Sequence, residues 1–543
     1  MGATAVKRDR PIRPRPRGRA QLIGRLLILV LTGLTQATTL AAPNEEIRKE
    51  TELVRASGQT SDKSLDILVA DAVPEIYEHR RFSRLWSDLD RVETLIRAIR
   101  ASAADGLRPD HYHLARIEQL PTAYSRGEAA PIDSANAIDD ILLTDSLARL
   151  VLDLQFGKMN HSDAAARMAA IEQVLMARDF SAALAALTPA NTEYRSLRSA
   201  LAEYRRIAAA GGWPEVPAGP TIRPGDSDPR ISLLVERLVA SGDLSGWHSA
   251  NDYDPTLQVA IRRFQSRHGL AVDAVIGPAT LRALNVTVAA RIDQIRVNLE
   301  RLRWQRGPQP DPLVLVNIPA FEAQLIRDGA VEKTHRVIVG ALKTPTPTFE
   351  SELKYVVLNP TWTVPRSIAS DELLPAIKAD RGYLERFGYQ VLDPSGGVTD
   401  PTDIDWDTLN RNNFAYSLVQ QPGPANQLGR IKFMMPNEYA VFMHDTPGIN
   451  LFSRASRTFS HGCIRVENPV AMATALMRNT DGGGELLESR IASGSTQTVF
   501  LAEPVAIRII YRTVASNDGP DVRFFDDVYG LDNEVLAALD ADR

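Results

Sequence analysis

The residue of this sequence best suited to nucleophilic chemistry is Cys463, the single cysteine among 543 residues. It lies in the run Ser460-His461-Gly462-Cys463-Ile464-Arg465, and His444 lies 19 positions upstream, at the end of an apolar stretch. A thiol attacks as its thiolate, so a nucleophilic cysteine needs a nearby base or positive charge to lower its pKa from about 8.5. We therefore expect His444, His461 or Arg465 to activate Cys463.

The glycine before the cysteine predicts a sharp turn of the backbone. A residue without a Cβ lets successive N–H groups converge on a reacting carbonyl, so the N–H groups of Gly462 and Cys463 are candidates for an oxyanion hole. Two other interpretations remain open. Cys463 could be a small buried side chain beside a loop histidine, His461, or it could bind zinc with His444 and His461. Structural zinc sites, however, take four ligands and usually several cysteines.

The composition is that of a globular protein, with 44% apolar and 24% charged residues. A formal net charge of −5 predicts no nucleic-acid partner. A basic segment, an apolar run from Leu26 to Leu34 and small residues up to Ala42 predict a signal peptide or N-terminal anchor over residues 1–42. We therefore expect export to the periplasm or cell envelope, with membrane association only through that segment. A free cysteine in an oxidising compartment favours a chemical role for Cys463.

The elements that must position these residues begin with helices. Apolar residues at helical spacing predict an all-α scaffold domain over residues 45–210, and five prolines predict an extended linker over 211–229. Three amphipathic stretches predict a small three-helix module over 230–286. The second of these begins at Asp254-Pro255, an N-cap followed by proline. A connecting helix is expected over 287–310.

From residue 311 the apolar pattern changes to that of strands, and we expect a mainly β domain over 311–530. Asp328-Gly329 predicts a hairpin turn, and the stretch from Phe524 to Tyr529 is expected to close the sheet. Residues 366–435 form an insertion with a helical pattern around Asp371 to Phe387, which we expect to be a lid. The predicted fold class is thus multidomain α+β: a mainly β domain with a helical lid insertion, preceded by an all-α scaffold and a three-helix module.

The motif resembles that of the L,D-transpeptidases with a YkuD-type catalytic domain: a histidine, a gap of about fifteen residues, then Ser/Thr-His-Gly-Cys-apolar-Arg/Asn. The resemblance covers all of Ser460 to Arg465, and Thr344 to Pro347 and Asn359 to Pro365 also recur in the family. The run His444-Asp445-Thr446-Pro447 is similar to the YcbB-type subgroup. The unit over 230–286 resembles a peptidoglycan-binding module, although this family usually has glycine where Ala274 stands.

The resemblance implies an acyl transfer on peptidoglycan. Cys463 would be the nucleophile, His444 the general base and Gly462 with His461 the oxyanion hole, while Arg465 and Ser460 would contact substrate. A tetrapeptide donor stem would form a thioester and then a 3→3 cross-link. Peptidoglycan stems and glycan are the implied partners, no metal or organic cofactor is required, and carbapenems would acylate the cysteine. Two alternatives stay open: an L,D-carboxypeptidase using the same thioester, and a non-catalytic wall-binding protein.

Overall fold

The computed structural model describes residues 44–121, 134–159, 163–246, 251–305, 307–480, 484, 486–516 and 521–541. The predicted export segment, residues 1–42, lies outside these ranges. Within them, none of the helices combines the length and the apolar character that crossing a membrane requires.

The first part of the described chain is helical, as predicted. Asn44, Asp88 and Asn191 accept hydrogen bonds from the first turns of three of its helices, as N-cap side chains do. Apolar helix faces, with Trp86 and Leu147 fully buried, form its core. The helices are Glu45–Ser57, Ala72–His79, Leu89–Ala101, Leu114–Ile117, Ser134–Phe156, Ala164–Leu175, Phe180–Ala185 and Thr192–Ala209, with short 3-10 helices at Ser102–Asp105 and Pro109–Tyr112.

The predicted three-helix module is present, with helices Ile231–Ala240, Pro255–Arg267 and Pro278–Leu284. Asp254 caps the second helix through the N–H of Leu257. Ala274 adopts a positive φ of 61°, a conformation that costs alanine more than glycine. The side-chain oxygen of Gln265 accepts a hydrogen bond from the Ala274 N–H at 2.9 Å, which stabilises the turn without glycine.

A connecting helix, Val288–Arg303, joins the helical part to the β domain. Its Val297 enters the scaffold core together with Val535 and Leu539 of the C-terminal helix, Asp532–Asp540. On another face its Asn298 exchanges hydrogen bonds with Thr513 of the β domain. The scaffold therefore packs against the β domain through this helix.

The strands of the β domain are β1 (Leu313–Asn317), β2 (Glu322–Arg327), β3 (Ala330–Gly340), β4 (Phe349–Leu358), β5 (Trp362–Thr363), β6 (Tyr389–Leu392), β7 (Val398–Thr399), β8 (Ser417–Gln420), β9 (Ile431–Met434), β10 (Met443–His444), β11 (Thr458–Ser460), β12 (Ile464–Val466), β13 (Gln497–Ile510), β14 (Val514–Ser516) and β15 (Val522–Phe524). Nine of them form a sheet in the order β11-β3-β12-β10-β9-β4-β13-β1-β2, and a further pairing of β2 with β3 closes the sheet on itself. Asp328 and Gly329 both have positive φ, as the predicted hairpin turn between β2 and β3 requires.

Helices Pro469–Leu476 and Leu487–Ala492 pack their apolar residues into the core of this sheet. The prediction that Phe524 to Tyr529 closes the sheet is wrong, because β15 pairs with β14 in a separate two-stranded sheet. Phe524 instead joins Tyr194 and Leu299 in a core shared with the scaffold and the connecting helix. The predicted multidomain α+β fold class is confirmed.

The insertion has its own apolar core, which includes Ile377, Val391, Trp406 and Leu418. Its helices are short: Arg366–Ile368, a π-helical turn at Ala369–Leu373, Leu374–Ala379 and Tyr383–Arg386, with 3-10 turns at Pro401–Asp403 and Trp406–Thr408. The prediction of a helical insertion missed a four-stranded antiparallel sheet, β5-β8-β6-β7. We call this unit, residues 362–420, the cap. The chain rejoins the large sheet at β9.

Candidate active site

Three adjacent strands place a row of polar side chains on one face of the large sheet. In the register of β9, β10 and β12, Lys432 lies opposite His444, and His444 lies opposite Arg465. Directly opposed residues on paired strands point to the same face. The neighbouring set of Phe433, Met443 and Ile464 is fully buried in the core on the other face. The strand register therefore fixes His444 between two cationic side chains.

Cys463 immediately precedes β12 and opens into the same space. A cavity of about 500 Å³ is lined by Cys463, His444, Ser460, His461 and Arg465, together with residues of the cap. The structure thus brings five of the six predicted site residues to one cavity. Gly462, the sixth, does not line it. Among the described residues, His444, His461 and Cys463 do not form a group of three that could hold a metal ion.

A backbone hydrogen bond fixes the orientation of His444. Its Nδ1 lies 2.5 Å from the backbone oxygen of Asp445, and a carbonyl only accepts, so neutral His444 carries its proton on Nδ1. Its Nε2 is then left with a lone pair. Burial, followed by the positive charges of Arg465 and Lys432, lowers the pKa of His444 to about 3. The imidazole is therefore neutral at physiological pH, with Nε2 unprotonated.

The thiol of Cys463 is also neutral in this state. Burial raises its pKa, although a backbone hydrogen bond from Phe442 and the charges of Lys432 and Arg465 act in the opposite direction. Cys463 and His444 therefore form a pair of neutral groups rather than a preformed thiolate–imidazolium ion pair. If the sulfur attacks a carbonyl from this state, its proton must pass to a base, which is the step of general-base catalysis.

The turn before the cysteine depends on glycine for conformation rather than for space. Gly462 has a φ of 107°, which side chains rarely adopt, while an added Cβ would meet only ordinary contacts with the oxygens of Thr344 and Pro345 at 3.8 Å. The hydroxyl of Thr346 donates to the Gly462 oxygen at 2.8 Å and accepts from the Gly340 N–H at 2.9 Å. The Thr344–Thr346 segment therefore stabilises the turn through the two hydrogen bonds of the Thr346 hydroxyl.

The predicted use of the Gly462 N–H in an oxyanion hole is not supported by this geometry. That N–H donates to the hydroxyl of Ser460 at 3.2 Å, and the same hydroxyl donates to the oxygen of Cys463 at 2.5 Å. The Ser460 hydroxyl therefore links the two ends of the turn and occupies the N–H of Gly462. Within the described residues the N–H of Cys463 has no acceptor, so it stays a candidate oxyanion donor.

His461 faces the cap rather than the cysteine. Its Nε2 lies 2.6 Å from Oε1 of Glu372, in the π-helical turn of the cap, and both side chains are about half exposed. This contact joins the cysteine motif to the insertion. Sequence reasoning missed Glu372, and it also missed Lys432, whose one signal is a lone charge in the apolar run Ile431-Lys432-Phe433-Met434.

Lys432 and Arg465 keep positive charge in the cavity without acidic partners. Neither forms a salt bridge with a carboxylate of the described residues, and the Nε of Arg465 is buried without a hydrogen-bond partner. Lys432 lies over the ring of Phe442, with its Nζ 3.9 Å from the ring centre. Both side chains are partly buried, and partly buried cations without a partner are costly, so their presence favours an anionic ligand.

Comparison with known proteins defines the class of the β domain. Residues 311–498 match the L,D-transpeptidase catalytic domain of the YkuD family, residues 71–201 match a scaffold domain, and residues 227–284 match a putative peptidoglycan-binding domain. The chain thus carries a YkuD L,D-transpeptidase catalytic domain. More particularly, it joins that domain to a peptidoglycan-binding domain, as the resemblance of the sequence predicted.

A curated relative, a putative L,D-transpeptidase of Haemophilus influenzae, is 35% identical over 245 residues, which are 45% of this chain and 49% of that protein. The chain therefore spans about half the length of this relative. Two solved structures also match: an L,D-transpeptidase of Xylanimonas cellulosilytica (15% identity, 54% of this chain, 99% of that one, TM-score 0.18) and one of Stackebrandtia nassauensis (12% identity, 54% and 97%, TM-score 0.22).

Proposed function

We propose that this protein is a peptidoglycan L,D-transpeptidase that forms 3→3 cross-links through a thioester on Cys463. The observation that carries the proposal is the shared cavity. In it, the single cysteine faces a histidine whose Nδ1 is tied to a backbone oxygen, within a domain that matches the L,D-transpeptidase catalytic domain. Such a pair suits nucleophilic acyl transfer.

The first half-reaction uses these groups as follows. His444 Nε2 takes the thiol proton while the sulfur of Cys463 attacks the carbonyl of the third residue of a tetrapeptide stem. The N–H of Cys463 donates to the oxyanion, and Lys432 and Arg465 stabilise the negative charge that develops on sulfur. His444 then gives the proton to the nitrogen of the leaving D-alanine. The C–N bond breaks, and the acyl group remains on sulfur as a thioester.

The second half-reaction repeats these steps in reverse with an amine of another stem. His444 accepts a proton as that amine attacks the thioester, a C–N bond forms, and the thiol of Cys463 is restored. The positive charge of Arg465, on the Cys463 side of His444, is available to a carboxylate in the acyl part of the donor. Ser460 acts by closing the motif turn rather than by touching substrate.

The cap has the position of a lid over the thioester. Cap residues Trp362, Leu373 and Tyr389 line the cavity, and Glu372 contacts the motif at His461. Excluding water is what lets an amine outcompete hydrolysis during the lifetime of the thioester. The match to a peptidoglycan-binding domain supports contact with glycan, and both matches support a site of action in the cell envelope.

The proposal is tested by intact-mass detection of an acyl adduct after incubation with a tetrapeptide muropeptide. Wild type should gain the mass of the donor less D-alanine, Cys463→Ala should gain none, and circular dichroism should show that the variant is folded. Adding a second stem as acceptor should release a 3→3 dimer. Release of the tripeptide alone would instead identify an L,D-carboxypeptidase, and an adduct on any residue but Cys463 would reject the mechanism. A carbapenem should modify the same cysteine.

A further inference from the structure

Lys432 has a position that the reaction described so far does not fully use. On β9 the core side chains Ile431 and Phe433 are fully buried, and Lys432 between them points to the opposite face, into the cavity. It is the cross-strand partner of His444, on the strand opposite the one that carries Arg465. Its charge acts on both His444 and Cys463, lowering the pKa of each, so the ammonium group lies near both side chains.

Lys432 lacks an acidic partner among the described residues of the cavity. Glu372, the acidic residue among the described lining residues, is paired with His461 at 2.6 Å. Lys432 rests on the ring of Phe442, a contact that orients it but leaves its charge unneutralised by any described carboxylate. A lysine kept in this state at a substrate cavity is suited to an anionic group of the ligand.

The position of that anionic group follows from the proton path, if the proposed acyl transfer is correct. His444 protonates the nitrogen of the leaving amino acid, and the carboxylate carbon of that amino acid is two bonds from this nitrogen. The carboxylate must then lie next to His444. Opposed residues on paired strands have Cα atoms about 4.5 to 5.5 Å apart, so the side chain of Lys432 reaches the same region.

We propose that Lys432 is a specificity-determining residue, which binds the terminal carboxylate of the leaving amino acid and thereby selects donor peptides with a free C-terminus. Arg465 lies on the other side of His444 and is left for the acyl part of the donor. The inference rests on the proposed function and assigns its leaving-group subsite. It predicts that removing the negative charge of the donor and removing the positive charge of Lys432 have non-additive effects on acylation, because either change breaks the same contact.

The test compares two donors on four proteins. The donors are a tetrapeptide stem with a free C-terminal carboxylate and the same peptide with a C-terminal amide, and acylation of Cys463 is followed by mass spectrometry. The proteins are wild type, Lys432→Met, Lys432→Arg and Lys354→Met. Lys354 is a matched control because it lies on a strand of the same sheet, is half exposed and pairs with Glu352 outside the cavity.

Wild type should acylate with the acid donor about 10- to 100-fold more efficiently than with the amide, the range expected for a charge-assisted hydrogen bond. Lys432→Met should abolish this preference, and the ratio of the two rates is the readout because the charge of Lys432 also acts on His444 and Cys463. Lys432→Arg and Lys354→Met should retain the preference. A Lys432→Met protein that keeps it would overturn the inference and leave the acyl transfer standing.

If Lys432→Met does not fold, the wild type alone can still overturn the inference that the site binds the donor carboxylate. Equal acylation rates with the two donors would show that no group in the site binds the terminal carboxylate, which overturns the inference. Absence of any adduct on wild-type Cys463 with both donors would instead reject the proposed function on which it rests.

Discussion

The acid limb of the acylation rate should lie far below the pH at which histidine ordinarily titrates. Burial and the charges of Arg465 and Lys432 lower the pKa of His444 to about 3. A histidine with an ordinary pKa of about 6.5 would be roughly 3% neutral at pH 5. His444, by contrast, should remain almost wholly neutral at that pH. The general base is therefore available throughout the mildly acidic range.

This difference in the histidine pKa can be measured as the ratio of the acylation rate constants at two pH values. Lowering the pH from about 7.5 to 5 should change the rate constant for acylation of Cys463 by less than about twofold, where an ordinary histidine would give a fall of roughly 30-fold. The rate constants come from intact-mass time courses with a carbapenem at a series of pH values. The unfolding temperature at each pH checks that the fold persists. His444→Gln, which cannot accept a proton, should be slower by about 10²-fold or more at every pH.

An acid limb with its midpoint between about pH 6 and 7 that disappears in His444→Gln would refute this reasoning. It would mean that His444 is solvated, or that its positive charge is stabilised by a group that does not contact it in this structure.

The reactivity of the Cys463 thiol gives a second check on the protonation states of the site. Because burial raises the pKa of Cys463, its alkylation by iodoacetamide should be slow at pH 7 and should rise with pH to a midpoint above the ordinary range of a thiol. Fast alkylation at pH 7 would indicate a preformed ion pair.

Three further substitutions test how the site is held. Gly462→Ala, at a φ of 107°, should cost about 1 to 2 kcal/mol of strain and lower acylation about tenfold or more, while Gly448→Ala, at a φ of −81°, should leave it unchanged. Thr346→Val removes a hydroxyl that makes two buried hydrogen bonds and should lower the urea midpoint by an amount equivalent to about 1 to 3 kcal/mol. Glu372→Gln weakens a half-exposed contact with His461, so the ratio of hydrolysed to cross-linked product should rise by up to about fivefold, with β-lactam acylation unchanged. An unchanged product ratio would show that this contact does not hold the cap closed.

The sequence predicted the parts of the site that are local in the chain. The spacing of His444 and the run around Cys463 single out candidates for a nucleophile and a base, which the structure brings to one cavity, and the shift from helical to strand pattern locates the β domain. The row of Lys432, His444 and Arg465 could not be predicted, because it depends on the register of three strands. Register is set by the packing of Phe433, Met443 and Ile464 in the core, and a shift of one residue would reverse the face of every side chain.

The differences from the sequence predictions have equally specific causes. The Gly462 N–H was predicted as an oxyanion donor, but here it donates to a serine two residues earlier, a local turn that competes for backbone donors. Phe524 was expected in the large sheet because strand patterns do not identify their partners. Its ring lies instead 5.4 Å from that of Tyr204, in a core formed with helices of the scaffold. Both differences concern which group a correctly recognised element bonds to.

Burial sets two demands on the site against each other. It keeps His444 neutral, but it also holds Cys463 as a thiol. Lys432 and Arg465 favour the anionic form of the cysteine and disfavour the protonated form of the histidine, so they lower the cost of charge on sulfur and raise the cost of charge on the imidazole. In the proposed reaction, negative charge would therefore develop on sulfur only as the carbonyl of the substrate arrives. A thiol that stays protonated between turnovers reacts slowly with oxidants, which suits a single cysteine proposed to work in the oxidising cell envelope.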